Sequence, residues 1–288
     1  MSDLPHWPFR FATHLGVRST DTPLFLHSVG SADPVAQIRH AATLGFAGVE
    51  DNGLMTRPPD QQSRIGQALA EQGMTMNSFV LGSRPAEWLY WGREDQATRE
   101  LLRDELETAL SAAQLSGGRT ISVVSGDMAG MDRDRQLDAM ARHLRELLPR
   151  VVDQGVSLAL EHISDKRVPG LLLRRLEDSL RLIATVDHPA LGLVFDTHHV
   201  TEMDSDLPGS WERARRHVTV VQLADHPDRH EPGTGNIDFV AFLSALHRDA
   251  WAGLVELEFT PKQADAEGEA AVLQSLSRIC RQAVSSNR

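Results

Sequence analysis

At 288 residues the chain is long enough to bury a sizeable core as one large domain. A formal charge of −11 argues against a nucleic-acid or anionic-membrane partner, because both require a basic face, and the 41% hydrophobic and 24% charged content is that of a soluble globular protein. Cys280 is the single cysteine, which excludes an intramolecular disulfide and fits a reduced compartment.

From the N-terminus, residues 1–16 lack the long apolar stretch behind a basic start that a secretory signal needs. No later apolar run approaches the roughly 20 residues of a membrane helix, so a cytoplasmic protein is expected. The first β-prone run covers 10–16. Ser31, Asp33 and Pro34 then mark a helix start, Gly45 its end, and a second β-prone run follows at 46–50. Pro58, Pro59 and Asp60 open the next helix, Gly73 closes it, and 74–81 is the third run. Trp88, Tyr90 and Trp91 lie in the following loop, 84–94, where they suit either a lid over a site or a local apolar cluster.

Leu and Ala recur at helical spacing over 95–115 and 134–154, with Gly117 and Gly155 closing each helix before runs at 120–125 and 156–161. Three more runs, at 191–196, 218–223 and 254–259, complete the set, and a helix is expected over 237–246. Cys280 falls in the last helical stretch as a structural thiol. Eight strand–helix alternations predict an α/β chain folded as a (β/α)8 TIM barrel, a single domain over 1–288. An open doubly wound sheet is the alternative, but no Gly-rich phosphate turn follows the first strand.

In a barrel the chemistry gathers at the C-terminal ends of the strands. Side chains alternate along each strand, so parity tells which ones enter the barrel. Leu158 and Leu160 suit the helix-facing side, which turns Ala159 and Glu161 inward; the same reasoning turns Val194 and Asp196, Val220 and Gln222, and Glu256 and Glu258 inward. Four consecutive strands thus deliver acidic or amide oxygens to one end. Three bare carboxylates there repel one another and desolvate badly, a conflict that a hard divalent cation with oxygen ligands removes. The alternative is four ordinary polar residues capping strand–loop junctions.

The segment Gln222-Leu-Ala-Asp-His-Pro-Asp-Arg-His-Glu-Pro-Gly-Thr-Gly-Asn-Ile-Asp238 resembles the signature of hydroxypyruvate isomerases, members of the xylose-isomerase-like TIM-barrel superfamily that also holds ketose 3-epimerases. Leu160-Glu-His162, Phe195-Asp-Thr-His-His199 and Leu257-Glu-Phe-Thr-Pro261 fit in the expected order, so the likeness spans the second half of the chain. It implies that Glu161, Asp196, Gln222 and Glu258 bind a divalent metal ion, Mg²⁺ or Mn²⁺ first and Co²⁺ or Zn²⁺ next. It also implies that Glu161 and Glu258 act as acid and base, and that His199 and Arg229 contact substrate. Relatives are commonly homo-oligomers. Glu256, two positions before Glu258, departs from the small or apolar residue expected there, and His198 stands where relatives often have an aromatic residue.

The chemistry implied is isomerisation of a small sugar or hydroxy-oxo acid through an enediolate, one glutamate removing a proton and the other returning it. Arg229 is a candidate to hold a carboxylate, or else a structural partner of Asp228 or Glu231. Lys166 and Arg167 are a second candidate anion site, and His14 faces the site or is a core histidine held by backbone. His162, His226 and His230 read as rim residues, solvated or capping. The Gly233-Thr-Gly235 turn suits either a phosphate or a tight entry to the next helix. A ketose 3-epimerase, a 3-oxo-acid decarboxylase or dehydratase, a DNA-repair endonuclease and a non-catalytic sugar-binding barrel are the competing functions; the charge of −11 weighs against the endonuclease.

Overall fold

The computed structural model describes residues 7–82 and 90–285. Nine strand segments, all paired in parallel, run β1 (Arg10–His14), β2 (Gly48–Glu50), β3 (Thr75–Met76), β4 (Ser78–Val80), β5 (Thr120–Val123), β6 (Ser157–Glu161), β7 (Leu191–Asp196), β8 (Val218–Leu223) and β9 (Leu254–Leu257). Their order is β3-β2-β1-β9-β8-β7-β6-β5-β4. The two terminal segments, β3 and β4, are consecutive in the chain and separated by Asn77 alone, so the sheet closes on itself through one interrupted strand. This is the eight-stranded barrel expected from the alternation.

The helices are α1 (Leu26–Val29), α2 (Pro34–Thr43), α3 (Pro59–Gln72), α4 (Gln96–Ser116), α5 (Arg133–Asp153), α6 (Leu176–Val186), α7 (Thr197–Met203), α8 (Leu207–Ala214), α9 (Phe239–Arg248) and α10 (Ala266–Ser285). Asp33, Asp95 and Asp132 cap α2, α4 and α5 by accepting from backbone N–H groups in the first turn. Gly73 and Gly117 close α3 and α4 in the left-handed conformation. The last predicted strand is shorter than 254–259, ending at Leu257, but Glu258 N still donates to Leu223 O, which keeps Glu258 at the strand's end.

Two apolar cores reflect the strand parity. Leu158, Leu160, Leu193, Phe195, Val221, Leu223, Leu257 and Phe259 belong to the large layer between sheet and helices. Ala159, Val194 and Val220 form a separate small cluster, the filling of the barrel itself. Phe195 shows how the outer layer is locked: its ring lies 5.3 Å from Trp211 edge-on and 5.8 Å from Phe242 in a stack. Burying such a ring contributes roughly 2–3 kcal/mol, so truncation here loosens the seat of the next residue, Asp196. Trp91 is fully buried in the same layer, so it belongs to the core and not to a lid; Trp88 lies outside the described residues. Cys280 is buried too, and burial pushes its thiol up to about 12.

Candidate active site

The inward residues at the C-terminal strand ends converge. Glu161 ends β6, Asp196 ends β7, Gln222 is next to last in β8, and Glu258 follows β9; all are buried. Asp196 and Gln222 are direct register partners, and Gln222 is in turn the register partner of Glu256 on β9.

Each carboxylate is held differently. Asp196 divides its two oxygens: Oδ1 accepts from His198 N at 2.8 Å and His199 N at 3.4 Å as the cap of α7, and Oδ2 pairs with Arg229 Nη2 at 2.9 Å without hydrogen-bond geometry. Glu258 accepts from Asn52 Nδ2 at 2.9 Å and from Arg229 Nη2 at 2.7 Å. Arg229 Nη1 donates to His199 Nε2 at 3.1 Å, so one guanidinium bridges two carboxylates and a histidine. Among the described residues, Glu161, Asp196 and His199 each bring a ligand atom within 4.8 Å of the others, while Glu258 stands outside that cluster.

The electrostatics follow from three carboxylates facing one buried arginine. Burial, then Glu258 and Asp196, hold the Glu161 carboxyl well above the usual carboxylate range. Burial pushes Glu258 up to about 7; Arg229 opposes the shift and Asp196 adds to it. Burial acts on Asp196 in the same direction, but Arg229 and the two histidines outweigh it and leave this carboxyl below the usual range. Burial holds His199 well below its ordinary value, so its ring is neutral.

Arg229 owes its position to the loop between β8 and α9. Asp225 is buried and gathers that loop, accepting from the backbone N–H groups of His226, Gly233, Gly235 and Ile237. Gly235 has to be glycine, because a Cβ there would lie 2.1 Å from the His226 carbonyl oxygen. The loop is tied to the exit of β9 by Glu231, which accepts from Lys262 N, and by His230 Nδ1, which donates to Thr260 O. Arg229 takes the left-handed region at φ 60° and points inward, away from the partnership with Asp228 or Glu231 that the sequence left open. The Gly233–Gly235 turn spends its N–H groups on Asp225, so it is a tight turn and not a phosphate cradle.

Sequence parity turned Glu256 of the deeper layer inward but missed its neighbour Glu50. Glu50 ends β2 and, with Glu256, is completely buried beneath Gln222. Gln222 Nε2 donates to Glu50 Oε2 at 3.2 Å and to Glu256 Oε2 at 3.0 Å; Glu256 Oε1 accepts from Asn77 Nδ2 at 2.7 Å and Ser78 Oγ at 2.6 Å. Burial, followed by Glu256 and Glu258, raises Glu50 well above the carboxylate range, and burial raises Glu256. The same alternation that turned Glu161 inward would have found Glu50, whose neighbour Val49 packs in the outer layer. Asn52 and Asn77 lie at a loop and a strand break, where no periodicity announces them.

The consequence for Gln222 is orientation. Both amide protons are used below, and Oε1 is left buried without a partner among the described residues. A partnerless carbonyl oxygen, one Asp196 oxygen without a hydrogen bond and the nearby Glu161 carboxylate form an oxygen-rich donor set that fits a divalent cation.

Above this floor opens a cavity of about 620 Å³ lined by Glu161, Glu258, His199 and Arg229. His14 does not line it; its Nε2 donates to Phe259 O at 2.8 Å and burial lowers it to about 4, the arrangement of a core histidine held by backbone. His162 is not a solvated rim residue: it is buried, neither ring nitrogen has a hydrogen-bond partner among the described residues, and burial lowers it to about 4.

The chain is 25% identical over 248 residues to the hydroxypyruvate isomerase of Escherichia coli (strain K12), covering 83% of this chain and 92% of that one. It is 24% identical over 261 residues to the 2-oxo-tetronate isomerase of Pectobacterium atrosepticum, covering 90% and 95%. A solved structure described as an AP endonuclease, family 2, from Brucella melitensis superposes with a TM-score of 0.75 at 25% identity, over 91% of this chain and 96% of that one. The profile of the xylose isomerase-like TIM barrel family matches residues 38–279, and the chain belongs to that family.

Proposed function

We propose that this protein is a divalent-metal-dependent isomerase that moves a carbonyl between adjacent carbons of a small hydroxy-oxo acid or sugar. The observation that carries this reading is the buried oxygen set of Glu161, Asp196, Gln222 and Glu258 at the strand ends, two of which line one cavity, with Gln222 Oε1 left without a partner among the described residues. The relatives named as hydroxypyruvate and 2-oxo-tetronate isomerases support it.

Glu161, Asp196, Gln222 and Glu258 would hold a divalent cation, whose positive charge would acidify the C–H beside a substrate carbonyl. The protein does the rest. Glu161 and Glu258 both reach the cavity wall, so one carboxylate takes the proton from the hydroxyl-bearing carbon and the other carboxyl group returns one to the former carbonyl carbon. The hydroxyl proton passes between the two substrate oxygens, and no net redox change occurs. Asn52 and Arg229 fix the Glu258 carboxyl group, and neutral His199 holds Arg229. Apolar Val80, Val124 and Ile163 keep one side of the cavity dry.

The test is turnover of hydroxypyruvate and 2-oxo-tetronate in Mg²⁺ or Mn²⁺ buffer, run in D₂O. Isomer formation with deuterium at carbon is expected. Carbon dioxide release would instead mark a decarboxylase, and deuterium exchange with inversion but no isomer an epimerase. The basic face an endonuclease needs does not fit the −11 charge.

A further inference from the structure

Arg229 is the arginine that sequence reasoning assigned to a substrate carboxylate, yet its guanidinium is committed to Asp196, Glu258 and His199. The same cavity holds two further arginines. Arg18 enters from the loop after β1, and Arg167 from the loop after β6. Among the described residues, neither side chain has a hydrogen bond or an ion pair. The described acidic groups of the cavity lining are Glu161 and Glu258, and Glu258 is taken by Arg229. Burial, then the positive charges of Arg229 and Arg18, lower the Arg167 pKa against the opposing charges of Glu202 and Asp196, so both other arginines lie near Arg167.

Both loops are pinned in place. A Cβ on Gly16, at φ 143°, would lie 2.2 Å from the Ser19 carbonyl oxygen, so the chain doubles back tightly around Arg18. Arg57, buried and paired with Asp51 at 2.5 Å, also donates to Leu15 O at 3.0 Å and anchors the start of that loop. Arg167 sits in a turn closed by Arg167 N and Val168 N, both donating to Ser164 O. Held cations at the mouth of a cavity whose floor is acidic call for a ligand with an anionic end.

We propose that Arg18 and Arg167 form the subsite that binds the substrate's carboxylate, which makes an oxo acid the preferred substrate over a neutral ketose. Two guanidinium forks offer the paired N–H donors that match a carboxylate's oxygens. The kinetic arm of the test rests on the isomerase reading above; the binding arm does not.

The experiment compares wild type, Arg18→Ala, Arg167→Ala and the double variant in Mn²⁺ buffer. Kinetics are measured with hydroxypyruvate and with the neutral ketose erythrulose, and binding by calorimetry with glycerate, which has no carbonyl to react. Each single variant is expected to raise KM for the acid and Kd for glycerate roughly 10- to 100-fold, the worth of a charged hydrogen bond. Turnover number should stay within about threefold and KM for erythrulose should not move. Unchanged glycerate binding in the double variant overturns the subsite, as does an equal loss for acid and ketose. Inorganic phosphate that binds tighter than glycerate with the same arginine dependence overturns the carboxylate assignment. Glycerate binding lost in the variants, from a wild type that isomerises nothing, supports the subsite and refutes the isomerase reading alone.

Discussion

Glu256 gives the sharpest test of how the floor of the barrel works. Glu256→Leu removes the acceptor for Asn77 Nδ2, Ser78 Oγ and one bond from Gln222 Nε2, at a position with no solvent exposure. Each stranded donor costs about 1–3 kcal/mol, an upper sum near 9 kcal/mol. Two effects reduce it: Gln222 keeps Glu50, and Glu50 is relieved of the neighbouring charge that raises its pKa. A net loss of about 3–4 kcal/mol follows, which in a chain of this size lowers Tm by roughly 6–10 °C. Glu256→Gln is the informative contrast. It keeps an oxygen for Asn77 and Ser78 but places an N–H donor against Gln222 Nε2, so it should cost only about 1 kcal/mol while releasing the amide that aims Oε1 upward. Affinity for Mn²⁺, read by calorimetry, should then fall about tenfold or more, the usual cost of losing an outer hydrogen-bond partner of a ligand. Wild-type Mn²⁺ affinity in both variants would refute the orienting role of Glu256. Equal Tm losses in both would show that charge, and not the lost acceptor, sets the stability.

Four further outcomes are expected. Exhaustive chelation should abolish turnover and Mn²⁺ should restore it; activity that survives chelation defeats the metal requirement. Glu161→Gln and Glu258→Gln should each cut kcat by roughly 10²- to 10⁴-fold, the range for a lost proton-transfer group, with folding unchanged by circular dichroism. Gly235→Ala drives a Cβ against the His226 carbonyl at 2.1 Å and should misplace Arg229, seen as lost activity together with a lower Tm. His162 reports pH. Its folded pKa is lowered by burial to about 4 from 6.5, so the unfolded chain binds the extra proton and stability falls as pH drops through that window, by about 3 kcal/mol at the limit. His162→Leu should flatten this acid limb in urea titrations between about pH 6.5 and 4, and an unaltered limb would show that other groups set it.

The barrel was legible because its signals are periodic. Parity along 156–161, 191–196, 218–223 and 254–259 separated helix-facing from inward residues, and the split between the two apolar cores follows that division. Helix limits were readable where Asp33, Asp95 and Gly73 carry the ends. What escaped reading depends on long-range partners. Glu256 has amide and hydroxyl partners drawn from β4, β8 and the break at Asn77, residues up to 179 positions away. The choice between a carboxylate clamp and a structural role for Arg229 turned on which groups surround its guanidinium, and those come from the ends of β7 and β9 and from α7. The sequence offers Arg167, with Lys166, as a candidate anion site or a solvated surface residue, and the structure puts Arg167 in the cavity wall beyond the turn at Ser164. The third strand is interrupted at Asn77, whose backbone still bonds to Val49 O and Thr120 N while its side chain reaches Glu256, a partner no propensity scale records.

The division of labour in Asp196 has an outcome for anyone dissecting this site by substitution. One oxygen organises the first turn of α7, which carries His199; the other faces Arg229. Alanine therefore unravels a helix start, displaces a histidine and deletes a charge in a single stroke, and its phenotype cannot be apportioned. Asparagine separates them: it retains a carbonyl to receive the His198 and His199 amides and turns only the other oxygen into a nitrogen. A protein that folds normally as Asp196→Asn yet fails as Asp196→Ala would reveal that the architecture of the rim, and not only its charge, hangs from one side-chain atom.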